Sequence, residues 1–142
     1  MKARFLLCNV LLAAMFALAQ PMSANAQTHN GYIDWIGCTP GGCSTSGWVC
    51  RIWYPQYTYL DTIEIYEDGP YGSGTLVYSN NPTLNVNRTD TASYCNSQTY
   101  NGFNLIFFWS NPTPYRQYYI YIRDSQSGSR QLLNPAPFTP SY

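Results

Sequence analysis

Beyond residue 26 the chain consists of short β-branched and aromatic runs separated by Asn, Pro, Gly and Ser, with no amphipathic helical repeat of about 11 or more residues. That pattern leaves little but an all-β fold. The runs are Tyr32 to Ile36, Gly47 to Trp53, Thr62 to Glu67, Gly74 to Ser79, Phe103 to Trp109 and Gln117 to Asp124. Between them fall Asn80-Asn81-Pro82, Asn96 to Asn101, Asn111-Pro112-Thr113-Pro114 and Ser125 to Ser129, all rich in turn-forming residues. Many short strands at this spacing predict an antiparallel β-sandwich. Alternation then assigns faces: Ile63, Ile65, Ile120 and Ile122 point to the core, and Glu64, Tyr66, Tyr119, Tyr121 and Arg123 point to solvent.

The first 26 residues read as a secretory signal peptide. Lys2 and Arg4 precede an apolar run from Phe5 to Leu18, and Ala24-Asn25-Ala26 supplies an A-x-A cleavage site. The apolar run is shorter than the roughly 20 residues that span a bilayer. An exported chain of residues 27–142 is about the size of one domain. It keeps five arginines, no lysine and seven acids, a formal net charge of −2. With no basic cluster to neutralise phosphates, nucleic acid and anionic membranes are not expected as partners.

Cys38, Cys43, Cys50 and Cys95 form an even set, which in an oxidising compartment predicts two disulfides in one of three connectivities. The preferred pairing is Cys38 with Cys43 across the turn Thr39-Pro40-Gly41-Gly42, and Cys50 with Cys95 between strand-like segments. Zinc is disfavoured by the lack of any C-x-x-C pair, and no cofactor is implied.

The stretch IEIYEDGPYGSGTLVY, Ile63 to Tyr78, contains a G-x-x-G-x-G spacing that could suggest a phosphate-binding loop. Such a loop needs a helix after its glycines, because the helix N-terminus supplies the donors. Thr75-Leu76-Val77-Tyr78 is a strand sequence instead. Glu67 to Gly74 therefore reads as the connection of a hairpin, its turn set by Asp68-Gly69-Pro70.

Catalytic chemistry finds few candidates. His29 is the one histidine and sits three residues inside the expected new terminus, where order is least expected. Glu64, Glu67 and Asp68 are near one another but read as solvated strand-edge charges. A calcium site drawing on Glu67, Asp68 and Asp61 falls short of the six to eight oxygens that Ca²⁺ takes. Arg88 and Asp90, two apart, read as a structural ion pair.

Aromatics are the most informative feature, since all 14 tyrosines and all four tryptophans lie beyond residue 26. Trp53, Tyr57 and Tyr59 crowd the segment around Pro55, and Tyr66, Tyr119 and Tyr121 are expected together on one solvent face. A ring held on a rigid sheet stacks on a sugar or on a partner's side chain with little ordering cost. These six residues are the sequence-based candidates for ligand binding.

Taken in order, Gly31 with Asp34, Gly47-Trp48 with Cys50, Tyr66 with Asp68-Gly69-Pro70, Arg88 with Asp90, Gly102-Phe103, and Pro135 with Phe138 form a pattern. It resembles a repeat-type β-sandwich module of secreted bacterial proteins, which reads G-x-x-D, G-W-x-C-D, Y-x-D-G-P-x-G-x-G, R-x-D-V, H-G-F and P-x-x-F. Arg51, Thr91 and Asn101 depart from it, standing where the pattern has Asp, Val and His. The resemblance implies an immunoglobulin-like sandwich, often attached to larger exported proteins, and implies no particular activity. The expectation is a non-enzymatic, exported binding module whose partner is a glycan first and an extracellular protein second. A structural or assembly module and an inhibitor of extracellular hydrolases are the alternatives.

Overall fold

The computed structural model describes residues 28–39, 41–53, 60–107, 116–134 and 137–139. The expected signal segment, Tyr57, Tyr59, Trp109 and Pro135 lie outside them. Among the described residues eight strands follow in chain order: β1 (His29–Thr39), β2 (Gly42–Arg51), β3 (Thr62–Glu67), β4 (Thr75–Asn80), β5 (Val86–Asn87), β6 (Tyr100–Phe107), β7 (Tyr118–Arg123) and β8 (Arg130–Leu132). They form two four-stranded antiparallel sheets, ordered β1-β2-β6-β5 and β4-β3-β7-β8. Among the described residues no helix is long and apolar enough to cross a membrane.

The six expected strands are present, with β1 and β2 longer than their apolar runs. β5 and β8, of two and three residues, were not foreseen. Inward rows of the first sheet align Ile33 with Gly47 and Phe103, and Ile36 with Thr45 and Leu105. The second sheet opposes them with Ile63 beside Ile122 and Ile65 beside Ile120. All four isoleucines are buried, as alternation requires, and each contributes about 1.5–3 kcal/mol by leaving water. Phe107 of the first sheet meets Tyr118 of the second edge-on, with ring centroids 5.9 Å apart.

Both disulfides join the preferred partners, Cys38 to Cys43 and Cys50 to Cys95. The first staples the β1–β2 hairpin at its turn. The second ties the end of β2 to the segment leading into β6, so the two bridges brace opposite ends of one strand.

The Glu67 to Gly74 loop is a turn. The Pro70 carbonyl accepts the N–H groups of Ser73 (3.0 Å) and Gly74 (2.8 Å), and β4 follows directly. A Cβ on Gly74 would stand 2.0 Å from the Gly69 carbonyl oxygen, so here glycine serves close backbone approach.

Candidate functional site

The expected aromatic face lies on the outer side of the second sheet, where Glu64 pairs with Tyr121 and Tyr66 with Tyr119. Its accessibility differs from expectation. Tyr66 is only 6% exposed, because Tyr71 from the hairpin loop and Tyr121 pack edge-on against it at 5.7 and 5.8 Å. Glu64, read as a solvated charge, is buried beneath the same roof. It accepts the Tyr66 hydroxyl at 3.0 Å and both Arg130 Nε and Nη2, while the Arg130 guanidinium lies 4.0 Å from the Tyr71 ring centroid. A carboxylate on a central strand attracts a cation and then needs a cover; Arg130 and Tyr71 supply both. Tyr119 and Tyr121 remain half-buried at the margin.

Glu67 and Asp68 also pair differently from the carboxylate and calcium readings. Glu67 turns inward to accept the Tyr118 hydroxyl at 3.0 Å, and both acids share Arg116. Asp61 takes no part in this group.

The outer face of the first sheet carries an aromatic surface that sequence alternation missed. Tyr32 lies beside Trp48; the next rows align Trp35 with Ser46 and Asn104, and Gly37 with Ser44 and Ile106. Tyr32 and Trp35 are each about half exposed, at 49% and 52%. A bulge in β1 between Ile33 and Trp35 inserts Asp34 as an extra residue. Without it, alternation from Ile33 would turn Trp35 inward and Ile36 outward; with it their places are exchanged. Thr45 fixes the kink by donating its hydroxyl to the Trp35 carbonyl at 2.8 Å.

Gly37 sets the attitude of the indole. A Cβ there would stand 2.1 Å from Trp35 Cζ2, so the ring packs over the bare backbone of this glycine. The residue nonetheless stays half exposed. Tyr94 extends the surface, its ring 6.0 Å from that of Trp48 and tilted by 30°, and its carbonyl accepts Asn30 Nδ2 at 2.7 Å. The Cys50–Cys95 bridge holds that segment against β2. At the margin Arg88 binds Asp34 and both oxygens of Asp90, so those charges are engaged with one another. The two carboxylates hold the guanidinium pKa above its ordinary value, the Asp90 hydrogen bonds contributing most.

A third arrangement closes one end of the sandwich around Asp61, which is fully buried. It accepts Arg51 Nε at 2.7 Å, His29 Nε2 at 2.8 Å, the Ser125 N–H at 2.9 Å and Arg51 Nη2. Asp124 lies 3.4 Å from Arg51 and accepts the N–H groups of Gln126 and Ser127, each at 2.8 Å. Burial pushes the Asp61 pKa up, but the bonds from Arg51, His29 and Ser125 outweigh it and hold the carboxyl far below its usual range. His29, expected to be poorly ordered, is 0% exposed and opens β1. His29, Asp61 and Asp124 have ligand atoms within 4.8 Å of one another, the geometry of a metal group. Arg51 stands between the two carboxylates and supplies the positive charge that a metal would bring.

Fold and sites together define a disulfide-braced, two-sheet β-protein with a polar-aromatic outer face. No protein-family model, curated protein or solved structure matches the chain.

Proposed function

We propose that the chain is an exported, non-catalytic immunoglobulin-like module that binds carbohydrate through the outer face of its first sheet. The observation that carries this reading is Trp35, half exposed with its indole packed over the bare backbone of Gly37, beside Tyr32, Ser44, Ser46 and Asn104. Flat rings take the C–H face of a sugar, and neutral hydroxyl and amide groups between them exchange hydrogen bonds with its hydroxyls. Anionic or cationic partners would meet Arg88, Asp34 and Asp90 already bound to one another. The immunoglobulin-like assignment is supported by strand order: β1-β2-β6-β5 and β4-β3-β7-β8 correspond to ABED facing C′CFG. Export is supported by the two disulfides, which persist in oxidising compartments.

A glycan array with the chain from residue 27 onward should give discrete polysaccharide hits. Replacing Tyr32 and Trp35 together by Ala should weaken the best hit at least tenfold, about 1.4 kcal/mol, with little loss of stability because both rings stand half in solvent. Changing Tyr119 and Tyr121 together to Ser should leave that binding unaltered. An array without hits, or loss confined to the Tyr119/Tyr121 variant, defeats this assignment of the binding face. A finer test is Gly37→Ala, whose methyl lifts the Trp35 ring off the sheet. Affinity should fall severalfold while the unfolding midpoint moves little.

A further inference from the structure

We propose a second ligand site, separate from the sheet face, in the cavity of about 180 Å³ beside the buried Asp61 cluster: a subsite for one neutral sugar ring. Thr28, Arg51, Trp53, Asp124, Gln126 and Ser127 line it. Two features mark it as more than a packing gap. Trp53 is 73% exposed, so its indole gains almost nothing from the core and is free to form a wall. The floor is made of charged side chains nearly lost to solvent, with Arg51 and Asp124 only 4% and 6% exposed. Concave sites with an apolar wall and a few convergent polar groups are where small ligands bind.

The hydrogen-bond polarity of the lining favours hydroxyl groups. Asp61 is ionised and can only accept, so His29 Nε2 carries the proton that points at it. The Thr28 hydroxyl lies 2.8 Å from Nδ1 of the same ring. A hydroxyl has one donor and two acceptor positions, so Thr28 keeps capacity for a ligand. Gln126 offers both a carbonyl and an amide, and Ser127 a hydroxyl. Donors and acceptors mixed beside an indole face suit a neutral, polyhydroxylated ring.

Charge argues against the other occupants. An anion would face Asp124 in the lining, beside an Arg51 guanidinium whose charge is already balanced by Asp61 behind it. An organic cation would be drawn to Trp53, but the carboxylates are already committed: Asp61 to four donors, and Asp124 to Gln126, Ser127 and Arg51. A ligand hydroxyl asks less of a carboxylate than a cation does, since one remaining lone pair is enough.

The test uses residues 27–142 labelled with ¹⁵N, following the indole N–H resonances while methyl glucoside, methyl galactoside, methyl mannoside and N-acetylglucosamine are titrated separately. Replacing Trp53 with Phe assigns its resonance. At least one sugar should shift the Trp53 signal saturably, with a dissociation constant on the order of 1 mM. Gln126→Ala should raise that constant several-fold, and the Tyr32/Trp35 double variant should leave it unchanged, which separates this site from the sheet face. No shift at about 100-fold that sugar concentration overturns the proposal, as does saturation by tetramethylammonium or inorganic phosphate in place of the sugars.

Discussion

Asp61→Ala should destabilise the folded protein by about 3–5 kcal/mol, read as a lowered urea midpoint at neutral pH. The carboxylate accepts Arg51 through two nitrogens, His29 through Nε2 and Ser125 through its backbone N–H. Truncation leaves a guanidinium, an imidazole and a backbone donor buried without that acceptor, and the buried guanidinium losing its closest carboxylate is the most expensive of these, although Asp124 stays 3.4 Å from it. The cluster also connects the layers: His29 and Arg51 belong to the first sheet, while Asp61 precedes β3 and Asp124 follows β7 of the second. Asp61→Asn keeps the shape and one carbonyl acceptor, and should lose less. A loss under about 1 kcal/mol for the alanine variant would show that the two sheets are held at this end by packing alone.

Acid should expose the same dependence. The folded-state pKa of Asp61 lies far below that of the unfolded chain, and that of Asp124 is also lowered, its burial outweighed by the Ser127 and Gln126 N–H groups and by Arg51. Depressed carboxylate pKa values contribute stability that is complete above the unfolded value, about 3.9, and is lost as pH falls further. The urea midpoint of the wild type should therefore drop below about pH 4, and the Asp61→Ala variant should show a shallower drop.

Much of this architecture is legible in the sequence where the physical rule is local. Alternation placed Ile63, Ile65, Ile120 and Ile122 correctly because β3 and β7 pair in the register their pattern demands. The glycines of the β3–β4 hairpin were readable as turn residues, since a strand sequence follows them. Trp35 was not readable, because its exposure depends on one inserted residue, Asp34, and a bulge exchanges the two faces of everything beyond it. Tyr66 was assigned to the correct face and still misjudged. Its cover, Tyr71 and Arg130, comes from a loop and from a strand of three residues, neither of which carries a periodic signal. His29 was discounted for its position near the expected terminus, yet it joins Asp61, 32 residues on, and Arg51, 10 residues before Asp61, in a buried site that forms only after both sheets are in place.

Replacing Cys50 and Cys95 together by Ser should cost about 4 kcal/mol in the loop-entropy model, since the bridge spans 45 residues, against about 2 kcal/mol for the Cys38/Cys43 pair, which spans 5. Urea unfolding under non-reducing conditions measures both. The longer bridge should also matter for the sheet face, in a way the shorter one should not. Cys95 is fully buried and holds the adjacent Tyr94 over Trp48, with Asn30 gripping the Tyr94 carbonyl. Without the bridge that turn is anchored to β1 and β2 by single hydrogen bonds, from Asn30 to Tyr94 and from Asn96 to the Ile52 carbonyl. The double variant should thus lose carbohydrate affinity under conditions where it is still folded, while the Cys38/Cys43 variant, altered at the far end of the hairpin, retains it. Equal stability losses for the two variants would show that native-state contacts, and not loop closure, set the value of each bridge. Unchanged affinity in a folded Cys50/Cys95 variant would place the sugar on Tyr32 and Trp35 alone.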